Sequence, residues 1–335
     1  MRSFIDNMPK AELHVHIEGT LEPELSFELA QKNNIELEAK TAQEMIDAYD
    51  FHDLPSFLKI YYAGMQVLVD ESDFYNLAMA YFRKAATQNI VYVELFFDPQ
   101  AHTIRGVKFE TVLNGLLKAQ EEAQNTLGIT SQLILCFLRD MSAESAMEHL
   151  LMAEPYIDKL IGIGLDSDEF QNPPAKFSDV FALARKWGLK LTMHCDVNQQ
   201  NTLEHIRQVL EDIQVDRVDH GVNILESDEL CELIKAKNIG LTICPVSNQF
   251  VVQSLTSKEI KSMLTKGLMP TINSDDPSYF RAYLNENLIA LQEEGGFDRS
   301  EIVTLVANSF KASWMKEEDK IRYLNQLNDY VAFAD

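Results

Sequence analysis

Eight short apolar or alternating runs recur along the chain, at 11–16 (AELHVH), 90–97 (IVYVELFF), 132–138 (QLILCFL), 160–165 (LIGIGL), 189–195 (LKLTMHC), 216–220 (DRVDH), 239–244 (IGLTIC) and 269–275 (MPTINSD). Each has the length and side-chain content of a strand. Helix-like stretches at 107–126, 175–187, 199–212, 227–237 and 257–266 lie between them. Such alternation predicts parallel strands joined by helical crossovers. Eight units of this kind close an α/β barrel of the (β/α)8 TIM type. One such barrel with insertions uses all 335 residues. No Gly/Ser-rich, Pro-rich or low-complexity stretch marks a boundary, so residues 1–335 are expected to form a single domain. Residues 17–89 exceed one crossover and read as a helical insertion over the barrel mouth, and residues 284–335 read as closing helices.

The polar residues at the ends of these runs carry the chemistry. His14 and His16 end the first run, His194 the fifth, His220 the sixth, and Asp275 and Asp276 the eighth. Strand C-termini converge on the active-site face of a barrel, so these residues are expected to meet. In His14-Val15-His16 the spacing of two puts both rings on one side of a strand, where they can share a metal. With His194 and Asp275 the set becomes three imidazoles and one carboxylate. That suits a borderline metal such as zinc, with one position open for a water whose pKa falls to about 7. On spacing alone, a packed pair of strand histidines stays open as the alternative. His220, following Asp219 at a strand end, reads as a proton-transfer or water-orienting group, against the bland reading of a satisfied core histidine. Asp275-Asp276-Pro277 also fits a helix-capping turn, and both uses are compatible. His149 and His205 are expected on helix surfaces, while His52 and His102 have no strand-end placement. Cys195 should point away from His194 and pack. Phe57 and Tyr61 read as core residues, either of which can face the mouth.

Charge narrows the partners. Twenty-nine Lys plus Arg stand against 52 Asp plus Glu, a net −23. This repels polyphosphate and anionic lipid, so a nucleic-acid polymer and a membrane surface are poor partners and a neutral small molecule is a better one. No stretch approaches the roughly 18 apolar residues of a membrane span, and MRSFIDNMPKAELHVH lacks a signal-peptide core. Cys136, Cys195, Cys231 and Cys244 lie far apart without a C-x-x-C pair, which argues for reduced thiols and a cytoplasmic protein. A homo-oligomer is compatible with this composition.

From about residue 8 to 290 the motifs MPKAELHVHIEGTLEPEL, DLPSFLKIYYAG, VELFFDPQAHT, LILCFLR, IGIGLDS, VDRVDHG, CPVSN and INSDDPSYF…YLNENL, in this order, resemble the adenosine/adenine deaminase family of the amidohydrolase superfamily, and especially its adenine deaminase branch. The resemblance implies a barrel enzyme with one zinc per chain held by His14, His16, His194 and Asp275. It also implies His220 beside the hydrolytic water, Asp276 accepting from the purine ring, and Gly164 offering backbone to the base. HVHIEG resembles the free-base branch, because the nucleoside branch usually carries Asp where Glu18 stands.

One departure stands out. The family reads His-Ala-Gly-Glu after the fifth-strand histidine, and that Glu donates a proton to the purine ring. Here the run is His194-Cys195-Asp196-Val197. Valine transfers no proton, and general acid help is typically worth about 10²–10⁴-fold, so Asp196 becomes the candidate donor. An uncharged Val197 in the pocket wall suits an adenine alkylated on its exocyclic nitrogen. The expected reaction is hydrolytic deamination at carbon 6 of a free purine, adenine or substituted adenine, giving hypoxanthine plus ammonia or an amine. The alternatives are a zinc hydrolase of another amino- or alkoxy-substituted heterocycle, or a catalytically silent purine binder.

Overall fold

The alternation builds a barrel. A computed structural model, which describes residues 1–49, 51–195 and 201–334, contains β1 (Lys10–His16), β2 (Ile90–Phe97), β3 (Thr130–Leu138), β4 (Leu160–Asp166), β5 (Lys190–Cys195), β6 (Arg217–His220), β7 (Gly240–Ile243) and β8 (Met269–Ile272). Each strand pairs in parallel with the next, in sequence order. Closure comes at the C-terminal end. His16 N donates to Asp275 O at 3.0 Å and Asp275 N to His14 O at 3.1 Å, so the segment that follows β8 is stitched onto β1. The fold is a (β/α)8 barrel.

The long segment after β1 folds as helices Pro23–Asn33, Ala42–Asp47, Leu54–Gly64 and Glu71–Thr87. Two start signals are local. Asp53 and Ser56 form a capping box before Leu54–Gly64, and Asp70 and Asp73 form another before Glu71–Thr87, each satisfying N–H groups that the first helical turn leaves open. In Glu71–Thr87 the residues Phe74, Leu77, Ala78, Tyr81, Phe82 and Ala85 recur at helical spacing and are buried. The helix Phe109–Leu127 packs across it through Gly115, where an added Cβ would lie 2.5 Å from Glu71 O. The chain closes with helices Leu284–Glu293, Arg299–Ala312 and Glu317–Phe333.

The barrel interior is polar in its lower layers. Arg217, fully buried on β6, donates to Glu94 on β2 and to Leu13 O, and its guanidinium stacks on Trp314 at 4.1 Å. Above it Asp219 accepts from Thr192 at 2.7 Å and from Thr242 at 2.9 Å. A buried carboxylate with two hydroxyl donors is satisfied, and this layer is the floor on which the histidines stand. His149 and His205 differ from their expected surface positions, since both are buried. His149 spends its ring nitrogens on Ser145 O and on the Thr103 hydroxyl, which lets a helix histidine leave water.

Candidate active site

The strand ends bring together the predicted metal set. His14, His16, His194 and Asp275 each offer a ligand atom, and these four atoms lie within 4.8 Å of one another in a buried cluster. Neighbouring polar groups set which ring nitrogen of each histidine carries its proton. His194 Nδ1 faces Leu165 O at 3.0 Å, an acceptor only, so Nδ1 holds the hydrogen and Nε2 a lone pair. His16 Nδ1 makes no hydrogen bond to Asp166, but it lies 3.4 Å from Asp166 Oδ2, whose charge favours the hydrogen on that nitrogen. His14 Nδ1 lies 2.8 Å from Thr242 Oγ1, whose own hydrogen goes to Asp219, so His14 donates there as well. Three unprotonated Nε2 atoms therefore turn toward one point. His16 Nε2 and His194 Nε2 are 3.2 Å apart, and Asp275 Oδ1 is 2.9 Å from His14 Nε2 and 3.5 Å from His16 Nε2. Four electron-pair donors crowded with no hydrogen between them repel unless a cation joins them. Three imidazoles with outer polar partners and a carboxylate are a donor set that fits zinc. Burial also pushes His16 down to about 4 and His194 well below its usual range, which keeps both rings neutral as ligation requires.

His220 stands beside this set without joining it. Its ring centroid is 4.7 Å from that of His14 and 5.2 Å from that of His194, and its Nε2 is 3.8 Å from Asp275 Oδ2. Its Nδ1 is buried with no hydrogen-bond partner among the described residues. Burial holds the ring near 4, so it is neutral and able to take a proton at pH 7. His220 and Asp275 both adopt left-handed backbone, with φ of 56° and 65°. Such φ values are uncommon for residues other than Gly, and here the strained turns aim both side chains into the mouth.

Asp276 starts the short helix Pro277–Phe280 without a side-chain capping bond, and its Oδ1 is buried and unpartnered. The capping alternative for its carboxylate is therefore not used. Asp276 reaches the site because residue 19 is glycine. An added Cβ at Gly19 would lie 2.1 Å from Asp276 Oδ1.

These groups face a cavity of about 270 Å³, near the lower limit of typical ligand sites. Its apolar side includes Leu54, Phe57, Leu58, Val251, Val252 and Phe280. Phe57 and Tyr61 thus both face the mouth. Six carboxyl groups line the cavity, from Asp53, Asp98, Asp166, Glu169, Asp275 and Asp276, with no Lys or Arg among the described wall residues.

Two expected site residues lie off the wall. Gly164 is in mid-strand on β4, where an added Cβ would strike Cys136 Sγ at 2.5 Å, so its space is taken by barrel packing and not by a base. Asp166 and Ser167, at the end of the same strand, line the cavity instead. Glu18 is fully buried behind the wall, where its Oε1 accepts from His102 Nε2 at 2.9 Å and from Asp98 N at 3.1 Å. His102 is therefore a buried partner of Glu18, and His52 is exposed. Asp196 and Val197 lie outside the described residues. Sequence reasoning missed Asp98 and Asp166. The strand-end rule that found the histidines would have found them too, since Asp98 follows β2 and Asp166 ends β4. Burial and the neighbouring Asp166 charge push Asp98 well above the usual carboxyl range.

Comparison with known proteins agrees with this arrangement. Residues 9–330 match the family described as Adenosine deaminase. An uncharacterized deaminase of Schizosaccharomyces pombe is 50% identical over 333 residues, covering 99% of this chain and 98% of the relative. An adenine deaminase of Wolinella succinogenes is 46% identical over 329 residues, covering 98% and 99%. Among solved structures, the adenine deaminase from Arthrobacter aurescens superposes with a TM-score of 0.93 at 39% identity, covering 97% of this chain and 99% of that one. A barrel whose strand ends gather three histidines and an aspartate, together with sequence similarity along nearly the whole chain, makes this protein a member of the adenosine deaminase family.

Proposed function

We propose that this chain is a zinc-dependent aminohydrolase that deaminates adenine at carbon 6, taking up water and releasing hypoxanthine and ammonia. The observation that carries the reading is the convergence of three unprotonated Nε2 atoms and Asp275 at the mouth of the barrel. We assign His14, His16, His194 and Asp275 as the ligands of one zinc per chain. When bound there, the metal supplies the Lewis acidity that makes water a nucleophile near neutral pH. His220 takes the proton of that water, which suits a neutral ring beside Asp275. Asp276 receives a purine N–H through its unpartnered Oδ1. Gly164, behind the cavity, is left no direct role, and Glu18 acts through the hydrogen bond that fixes Asp98 N.

The substrate is a free base. A wall of carboxyl groups without Lys or Arg disfavours the phosphate of a nucleotide, and the chain's charge of −23 disfavours a nucleic-acid polymer. The apolar side of the cavity and the valine at position 197 favour an adenine carrying an alkyl group on its exocyclic nitrogen, with Asp196 as the proton donor to the ring. We read residues 1–335 as one hydrolase domain. Among the described residues no helix is long and apolar enough to cross a membrane, and four free, buried cysteines support the reading of a cytoplasmic protein. The deciding experiment measures metal content together with release of ammonia or alkylamine from adenine and from N6-alkyladenines. A metal-free protein with full activity, or a metal-loaded protein inert toward every 6-substituted purine, overturns the assignment.

A further inference from the structure

Glu12 lies on β1 two residues before His14 and is fully buried. Strict alternation along β1 would put it on the face of His14 and His16. The pairing of β1 with β2 shifts register between Glu12 and Val15, and Glu12 meets the helix Glu71–Thr87 instead. Its Oε2 accepts from the Tyr81 hydroxyl at 2.5 Å, and its Oε1 accepts from Ser274 N at 3.0 Å and from Ser274 Oγ at 2.5 Å. A carboxylate takes these three donors on two oxygens, whereas an amide has a single oxygen with two lone pairs. Ser274 is the residue before Asp275, whose φ of 65° is a conformation costly to residues other than Gly. Three consecutive residues are thus tied to β1. Asn273 Oδ1 accepts from Leu13 N at 2.8 Å, Ser274 donates to Glu12, and Asp275 N donates to His14 O at 3.1 Å.

We propose that Glu12 is a positioning residue of the metal site: anchored by Tyr81, it clamps Ser274 and so fixes the left-handed turn that delivers Asp275 Oδ1 to the three imidazoles. This rests on the metal assignment above. With Oε2 held by Tyr81, Oε1 stays on Ser274. Without the clamp, the buried amide and hydroxyl of Ser274 lose their acceptor, and the turn is free to relax toward the negative φ that an aspartate prefers. Such a relaxation carries the carboxylate away from His14 Nε2, which it now approaches to 2.9 Å. Glu12 touches no reacting atom. Its effect passes through Asp275 and is read first in metal binding.

The test measures zinc affinity of the folded protein by competition with a chromogenic chelator, together with the visible absorption of the cobalt(II)-loaded protein, which reports ligand geometry. Glu12→Ala should bind zinc on the order of 10–100-fold more weakly than wild type, the usual effect of losing an outer partner of a ligand, and should shift the cobalt spectrum. Glu12→Gln keeps one acceptor oxygen for Ser274 and should recover part of that loss. Tyr81→Phe frees Glu12 without touching Ser274, and should weaken zinc binding by less than Glu12→Ala does. Leu77→Ala, in the same helix and fully buried, controls for simple loss of packing. It should lower the melting temperature and leave zinc affinity and the cobalt spectrum as in wild type. Where Glu12→Ala does not fold, Glu12→Gln and Ser274→Ala replace it, and both should bind zinc more weakly than wild type. Unchanged zinc affinity and cobalt spectrum in the Glu12 variants overturn the clamp, as does an equal change in Leu77→Ala. If wild type itself holds neither zinc nor cobalt, the metal assignment has failed and the clamp falls with it.

Discussion

The Nε2 atoms of His16 and His194 stand 3.2 Å apart, and neither has a hydrogen to offer the other. His194 commits its proton to Leu165 O on the far side, and the Asp166 charge 3.4 Å from His16 Nδ1 draws the His16 proton to the far side as well. The outer partners thus prepare the inner face for a cation before any cation arrives. About one equivalent of zinc per chain should be found, and chelation should lower the melting temperature, since a metal that binds only the folded chain stabilises it. His16→Ala should abolish both metal retention and turnover. Full activity in that variant would exclude the assigned set.

His220 adjoins the same cluster but has a different task. His220→Asn should retain metal and lose on the order of 10²–10⁴-fold in kcat, the usual worth of a proton-transfer group. Elemental analysis and steady-state rates separate the outcomes. A variant that loses metal, and recovers its rate when metal is added back, would make His220 a ligand and not the proton acceptor.

How much of this was legible in the sequence follows from what each side chain answers to. The eight strands show as apolar runs because burial on both faces imposes such runs locally. His14, His16, His194, His220 and Asp275 were legible because a strand end in a barrel is an address that sequence order reveals. Gly164 and Glu18 lie off the cavity wall for a common reason. Whether a residue in or just past a strand faces the cavity or the packing behind it depends on neighbours from other strands, here Cys136 on β3 and His102 after β2. The burial of His149 likewise depends on Thr103, 46 residues away, which no periodicity records.

Gly19 offers a test of positioning without touching a titratable group. A Cβ there would lie 2.1 Å from Asp276 Oδ1, so in Gly19→Ala the carboxyl has to move. A displacement of this size near a substrate can cost about 10²-fold. The loss should fall on kcat/KM for the base while metal content stays at the wild-type level. Unchanged kinetics would mean that Asp276 does not contact substrate.

Position 197 tests the departure from the family. Val197→Glu restores a carboxyl at the sequence position that resembles the family's acid, and a carboxyl in a poorly solvated pocket favours its protonated, donating form. Activity on unsubstituted adenine should rise relative to N6-alkyladenine, whereas wild type should prefer the alkylated base. A folded, metal-loaded variant with no gain, beside a wild type already efficient on adenine, would show that a carboxyl at residue 197 is not needed and would leave Asp196 as the donor.

At the opposite end of the barrel, Lys10 makes a prediction about stability and pH. It begins β1 fully buried, and Nζ donates to Ile5 O and Met8 O, each at 2.6 Å. Burial lowers its pKa from 10.5 to about 7, opposed by the charge of Asp6. A neutral amine still has two hydrogens for those two carbonyls, so losing the proton sacrifices neither bond. Below pH 7 the folded and unfolded chains both carry the proton, and the full penalty of burying the charge applies. Between about pH 7 and 10.5 the unfolded chain binds the proton and the folded chain does not. Stability should therefore rise with pH across that window, by up to about 1.4 kcal/mol per unit from this group. Lys10→Met should lower stability by leaving two carbonyls unpaired and should remove that slope. Other groups titrating in the same range cancel in the difference between the two proteins. Urea midpoints across the window measure it, and parallel profiles for wild type and Lys10→Met would show that Lys10 stays charged in the fold.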